Sequence, residues 1–175
     1  VPCVYITHQL NLHSPNFALT ILGQKVHYSF INRYTECWVP DYEENGIAGK
    51  LSHPIHPPKT PLKYIGPLSR LKKKKSKKEL DIFVALSGPE PQRTIFEKIL
   101  APQIKKSGLK SVFVRGLPSE IKTSYTDNDH FKMYNHLPSA QFNEMMQKAE
   151  MVICRSGYSS VMDLIVLGQK AILVP

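Results

Sequence analysis

The sequence predicts an α/β protein built on parallel strands. Three observations lead there. Strand and helix patterns alternate from Asp81 to the end of the chain. The apolar runs Met151 to Cys154 and Ala171 to Val174 are short and unbroken, as in strands covered on both faces. Between those two runs, a helical pattern begins after Ser156 and Gly157 and stops at Gly168. Alternation of this kind places helices on both faces of one sheet through right-handed crossovers.

The elements follow in order. Cys3 to Thr7 alternates weakly and reads as a strand. Ser14-Pro15 then supplies a cap and a first-turn proline for a helix reaching about Tyr34, with Phe17, Ile21, Leu22, Val26 and Phe30 as its buried stripe. Cys37 to Val39 and Lys63 to Ile65 are short strands. Asp81 to Leu86 is an apolar strand. It leads through Ser87-Gly88-Pro89-Glu90-Pro91 into a helix from Gln92 to Lys106, whose inward face is Ile95, Phe96, Ile99 and Leu100 and whose end is marked by Gly108. Lys110 to Arg115 and Phe131 to Asn135 are further strands, with a surface loop from Pro118 to His130 between them. Ser139 caps a helix that buries Phe142, Met145, Met146 and Ala149.

Composition bounds the classes. With 175 residues, 42% of them apolar, the chain has enough material for one domain or two small lobes. No apolar run approaches the roughly 20 residues that span a bilayer, and the first residues lack the charged, apolar and small-residue succession of a signal peptide. The expectation is a soluble, cytoplasmic protein. Cys3, Cys37 and Cys154 have no metal-like spacing. Pro54, Pro57 and Pro58 prevent His53 and His56 from sharing a helix face, so no metal site is expected. A proline- and histidine-rich stretch precedes Arg70-Leu-Lys-Lys-Lys-Lys-Ser-Lys-Lys78, which supplies most of the net charge of +9. Self-repulsion keeps such a run extended and wet. The expected division is therefore residues 1–67, a basic linker at 68–79, and residues 80–175.

The chemistry concentrates at the last strand–turn–helix. A helix start aims unpaired N–H groups at an anion. Arg155 adds charge there, and Ser156, Gly157, Ser159 and Ser160 add hydrogen-bonding groups and room. Asp163, farther along the helix, is suited to accept hydrogen bonds from a vicinal diol such as a ribose. The plainer alternative makes Ser156 an N-cap and Asp163 a solvated first-turn acid. Ser87 and Gly88 form a second strand–loop–helix of the phosphate-cradling kind, with Arg93 within reach of phosphate or simply a surface arginine.

At these residues the chain resembles a known family. Cys154-Arg-Ser-Gly157, then Val161-Met-Asp163, then Leu167-Gly-Gln-Lys-Ala-Ile-Leu-Val-Pro175 is similar to the donor-binding signature of the MurG-like glycosyltransferases, family 28 of the GT-B type. The resemblance implies two Rossmann-like lobes with parallel sheets, the amino-terminal one incomplete within this chain. It also implies that the acidic residue of the last helix, usually Glu and here Asp163, holds the ribose of a uridine diphosphate (UDP) sugar. His8 and Asn11 match two positions of a tetrapeptide that faces the acceptor in this family. Ser87 and Gly88 stand where a glycine-rich loop meets the donor diphosphate.

The implied reaction is inverting transfer of a hexose or N-acetylhexosamine from a UDP-sugar to an acceptor hydroxyl, with lipid-linked acceptors among the candidates. The resemblance implies no cofactor and no metal, and a general base lying outside this chain, so that the 175 residues are inactive alone. The basic run offers a patch for an anionic membrane at its inner, cytoplasmic face, at about 1 kcal/mol per lysine. Nucleic acid is not expected, because no aromatic residue interleaves the charges. Two rivals share these residues: a nucleotide-sugar epimerase or hydrolase of the same fold, and a non-catalytic basic module for RNA or anionic membrane.

Overall fold

The computed structural model describes residues 1–118, 124–128 and 130–175. The chain separates into two compact units, Val1–Leu68 and Ser69–Pro175.

The first unit is a three-stranded parallel sheet, β1 (Val4–Ile6), β2 (Glu36–Val39) and β3 (Leu62–Tyr64) in that order, with helix α1 (Phe17–Ile31) between β1 and β2. Its core is Leu10, Ile31, Cys37 and Val39, with Tyr5, Tyr28, Leu62 and Tyr64 against it. Asn16, rather than Ser14, caps α1: its Oδ1 accepts from the N–H groups of Ala18 and Leu19 at 3.0 and 3.3 Å. The expected stripe is corrected too. Phe17 is 78% exposed, Leu22 60% and Phe30 51%, while the face toward the core carries Gln24, Tyr28 and Ile31. The reason is polar. Gln24 donates to the Leu10 carbonyl and accepts the Leu12 N–H, both at 2.8 Å. On a helix apolar almost all round, that pair of bonds selects the face.

The second unit holds β4 (Leu80–Ala85), α2 (Gln92–Ser107), β5 (Ser111–Val114), β6 (Ser124–Asn128), β7 (Phe131–Tyr134), α3 (Ser139–Lys148), β8 (Ala149–Arg155), α4 (Tyr158–Leu167) and β9 (Ala171–Val174). The strand order is β6-β7-β5-β4-β8-β9, parallel except for the β6–β7 pair. Side chains alternate across it as a pleated strand requires. Phe83, Val112, Val114, Val152 and Cys154 face α3 and α4, whereas Val84, Phe113 and Ile153 face α2. The α/β class with parallel sheets therefore holds.

Three expectations change here. Part of the span read as a loop is strand β6, an antiparallel edge whose polar sequence shows no apolar pattern; residues 119–123 and 129 of that span lie outside the described residues. On α2 the inward face is Arg93, Phe96, Leu100, Ala101 and Ile104, while Ile95 and Ile99 are 51% and 56% exposed. On α3 no side chain caps the start, Ser139 is the first helical residue, and Asn143 and Gln147 are buried beside Met146.

The last difference explains the basic stretch, which is extended and largely exposed but anchored along the second unit. Leu71 enters the core on the α3/α4 face. The Lys72 carbonyl accepts from Asn143 and Gln147 at 3.0 and 3.1 Å, and the Lys74 N–H donates to Gln147 Oε1 at 2.6 Å. Lys78 Nζ donates to the Gln147 and Ala149 carbonyls and to Gln169 Oε1. Cations are favoured where helix C-termini present unpaired carbonyls.

Candidate functional site

From β4 the chain steps to β5 and β7 on one side, then crosses back to β8 and β9 on the other. The point of reversal lies between β4 and β8, whose ends are level through the Ala85–Cys154 pair. Open α/β sheets bind ligands in the crevice at such a point, beyond the carboxyl ends of the strands. The two loops that leave there are Ser87-Gly88 after β4 and Ser156-Gly157 after β8.

The structure brings these predicted segments together. Gly88 has φ +107°, and a Cβ on it would stand 3.0 Å from Arg155 Nη1. Arg155 therefore lies across the first loop from the end of the second. Ser87, Gly88, Ser156, Gly157 and Ser159 are exposed, and Ser160 is half-buried. Helix α4 starts with Gly157 as its N-cap and no side chain capping it, so the plainer reading of Ser156 as the cap does not describe this helix start. The Ser156 N–H instead donates to the Val174 carbonyl at 2.9 Å and ties the turn to β9. Gly168, with φ +66°, closes α4. A short loop thus delivers an uncapped helix start and a guanidinium to one crevice, an arrangement suited to phosphate.

Asp163 is half-buried on the second turn of α4, and its Oδ1 accepts a hydrogen bond from Ser69 Oγ. Cys154, fully buried beneath, has its thiol pushed up to about 11 by burial and then by the Asp163 charge. It is a core thiol and not a nucleophile.

Arg93 sits differently from a free phosphate ligand. It is buried, its Nε is 2.6 Å from Glu90 Oε1, and its Nη1 is 2.7 Å from Glu97 Oε2 and 3.3 Å from the Arg115 carbonyl. Burial disfavours its charge, but the two carboxylates outweigh this and raise its pKa. Arg93 fastens the loop after β4 to α2 and to the end of β5.

His8 and Asn11 belong to the first unit, in the loop after β1. Their loop is pinned. The Leu10 and Asn11 N–H groups donate to the Leu51 carbonyl at 2.7 and 2.9 Å, and the Asn11 amide donates to the Lys50 carbonyl. Those carbonyls lie on a 3-10 turn, Gly49–Leu51, organised by buried Asp41. Asp41 Oδ1 accepts from Tyr42 and Ile47 N–H, and Oδ2 from Ala48 N–H and Ser52 Oγ, all within 2.6–3.0 Å. His53 Nδ1 lies 2.9 Å from Ser52 Oγ, and its ring stacks on Tyr64. Burial pushes the His8 pKa below its ordinary 6.5, and the Asp41 charge opposes that in part.

Sequence reasoning missed Asp41, Ser52 and Ser69. A buried acid with four nearby donors carries no periodic signal, and Ser69 meets Asp163 across 94 positions.

Residues 103–175 match the glycosyltransferase family 28 C-terminal domain, a span that runs from the second half of α2 to β9 and includes Arg155 to Asp163. No curated protein and no solved structure matches the chain. No helix among the described residues is long and apolar enough to cross a membrane. The family match covers less than half of the chain, and it includes the β8 side of the crevice, so that the segment from Arg155 to Asp163 is similar to this domain.

Proposed function

We propose that the chain carries the donor-binding part of an inverting glycosyltransferase of the MurG-like type, which moves a hexose or N-acetylhexosamine from a UDP-sugar to an acceptor hydroxyl. The observation that most supports this is the contact of Arg155 with Gly88, which joins the two anion-suited loops at the point of reversal in the sheet. The diphosphate lies against the start of α4 and Arg155, with Ser87, Ser156, Ser159 and Ser160 around it. The ribose lies at Asp163. An acceptor hydroxyl oxygen forms a bond to the anomeric carbon from the opposite face as the bond to the diphosphate oxygen breaks; that bond's electron pair leaves with the diphosphate, and the hydroxyl proton passes to a general base outside this chain's 175 residues. Helix-start N–H groups and a guanidinium stabilise charge growing on the leaving group, at positions set before the reaction begins.

In the same reading, the acceptor is lipid-linked and is met at the inner face of a membrane, with the basic stretch toward the anionic leaflet. His8 and Asn11 position the acceptor, Asn11 by clipping its loop to the Lys50 carbonyl and His8 through its ring, whose pKa burial lowers.

Calorimetric titration of UDP, with cytidine and guanosine diphosphates as controls, tests the donor site. Selective UDP binding that falls about tenfold or more in Arg155→Ala and Asp163→Ala supports it. A folded sample that binds none of the three sinks it. Product analysis with the full-length protein separates transfer from the epimerase and hydrolase alternatives, which yield an epimer or a free sugar from donor alone.

A further inference from the structure

Ser69 opens the second unit, at the head of the extended basic stretch. Its hydroxyl has one proton, directed at Asp163 Oδ1, and it accepts the Leu71 N–H at 3.0 Å. Leu71 is only 3% exposed, wedged into the core on the α3/α4 face, so the backbone that orients the hydroxyl is fixed by packing. A serine oxygen has two acceptor sites. One is occupied by Leu71, and among the described residues no hydrogen bond uses the other. Asp163 Oδ2 likewise accepts no hydrogen bond among the described residues. The pair thus presents two neighbouring acceptors, one carboxylate oxygen and one hydroxyl oxygen.

Resting on the donor-site reading above, we propose that Ser69 is a positioning residue that completes the diol-binding element of the nucleotide site. Asp163 Oδ2 takes one ribose hydroxyl. Ser69 Oγ holds the carboxylate in place through Oδ1 and takes the second hydroxyl. With Oδ1 engaged by Ser69, Oδ2 is the freely accepting oxygen of Asp163 and the Ser69 oxygen stands beside it, so the second hydroxyl is assigned to Ser69.

The experiment is calorimetric titration of the 175-residue chain with UDP and with its 2′-deoxy and 3′-deoxy forms. The same titrations are run on Ser69→Ala, Ser69→Cys, Ser69→Thr and Asp163→Asn, each checked for folding by thermal melting. The wild-type chain is expected to bind UDP about tenfold more tightly than at least one deoxy form, a hydrogen bond to a charged network being worth that factor. Ser69→Ala and the near-isosteric Ser69→Cys are expected to lose that preference while binding the deoxy form about as well as wild type. Ser69→Thr, which keeps the hydroxyl, restores the preference. A residue that only anchors the chain would lower the melting temperature and shift UDP and its deoxy forms equally; that result overturns the proposal. If Asp163→Asn abolishes the preference while Ser69→Ala and Ser69→Cys keep it, Ser69 is excluded and the donor site stands. If Asp163→Asn leaves the preference intact, or the wild-type chain binds no UDP, the donor-site reading fails and the proposal fails with it.

Discussion

The guanidinium of Arg155 lies over Gly88, 3.0 Å from where a Cβ would stand. The relation joins the end of strand β8 to the loop after β4, and it makes a side chain at position 88 doubly unfavourable, since the backbone there has φ +107°. Gly88→Ala is expected to cost about 1–3 kcal/mol of stability through backbone strain and to displace Arg155. UDP affinity should fall in Gly88→Ala as it does in Arg155→Ala, and chemical denaturation beside calorimetry reads both effects. An alanine variant with wild-type affinity would mean that Arg155 does not need its place over the loop.

Arg93 is predicted to be a structural hub. Removing it leaves Glu97, among the described residues, with Arg115 as its remaining ion-pair partner, and leaves a pocket shaped for a guanidinium. Breaking a buried ion pair from one side costs about 3–5 kcal/mol, so Arg93→Met should lower the denaturation midpoint sharply. Arg93→Lys should recover little, because a single ammonium nitrogen cannot stand at both positions that Nε and Nη1 of the guanidinium occupy. Full stability in Arg93→Met would refute this role.

Acid is predicted to weaken the first unit in two stages. Burial lowers the His8 pKa below its ordinary 6.5, so the unfolded chain takes up this proton first and stability falls as pH drops below that value. For Asp41, burial raises the pKa, but bonds from Ser52, Ile47, Ala48 and Tyr42 outweigh it and hold the pKa below the ordinary 3.8. That contribution is complete above 3.8 and disappears as pH falls through the lower folded value. Melting temperatures across this range, for wild type, His8→Gln and Asp41→Asn, check the order. His8→Gln should flatten the first stage, and Asp41→Asn should remove the second and cost about 2 kcal/mol at neutral pH.

The basic stretch is predicted to divide by function. Replacing Lys72, Lys73, Lys74 and Lys75 together by Gln should leave stability nearly unchanged, since these side chains are exposed and the backbone makes the anchoring bonds. Lys78→Met and Gln147→Leu should each cost about 1–3 kcal/mol, because the first removes three hydrogen bonds from a charged donor and the second takes away the acceptor of the Lys74 N–H. Thermal melting ranks the three variants, and equal losses in all of them would contradict the anchoring role.

Much of the candidate site is legible in the chain alone. The start of α4 after Gly157, its stop at Gly168 and the flanking strands β8 and β9 depend on signals that neighbours in the chain supply: apolar runs, a missing Cβ, a positive φ. Ser87 and Gly88 are legible in the same way. Arg93 is not, because whether an arginine at a helix start reaches a ligand or turns inward depends on Glu90, Glu97 and the Arg115 carbonyl, and on a face of α2 that apolar spacing misplaces. The face of α1 is settled by two bonds from Gln24, and the path of the lysines by buried Gln147 and Asn143.

The sequence by itself determined the parallel α/β class, the elements from Leu80 to Val174 other than β6, and the strand–turn–helix that carries Arg155 and Asp163. Only the tertiary structure decided that Ser87-Gly88 and Arg155 share one crevice, that Ser69 holds Asp163, and that Asp41 organises the turn under His8 and Asn11. The physical reason is range. Helix caps and buried strands are stabilised by residues a few positions away and leave a period, whereas each buried polar group takes whatever partner the fold brings to it, at any separation in the chain.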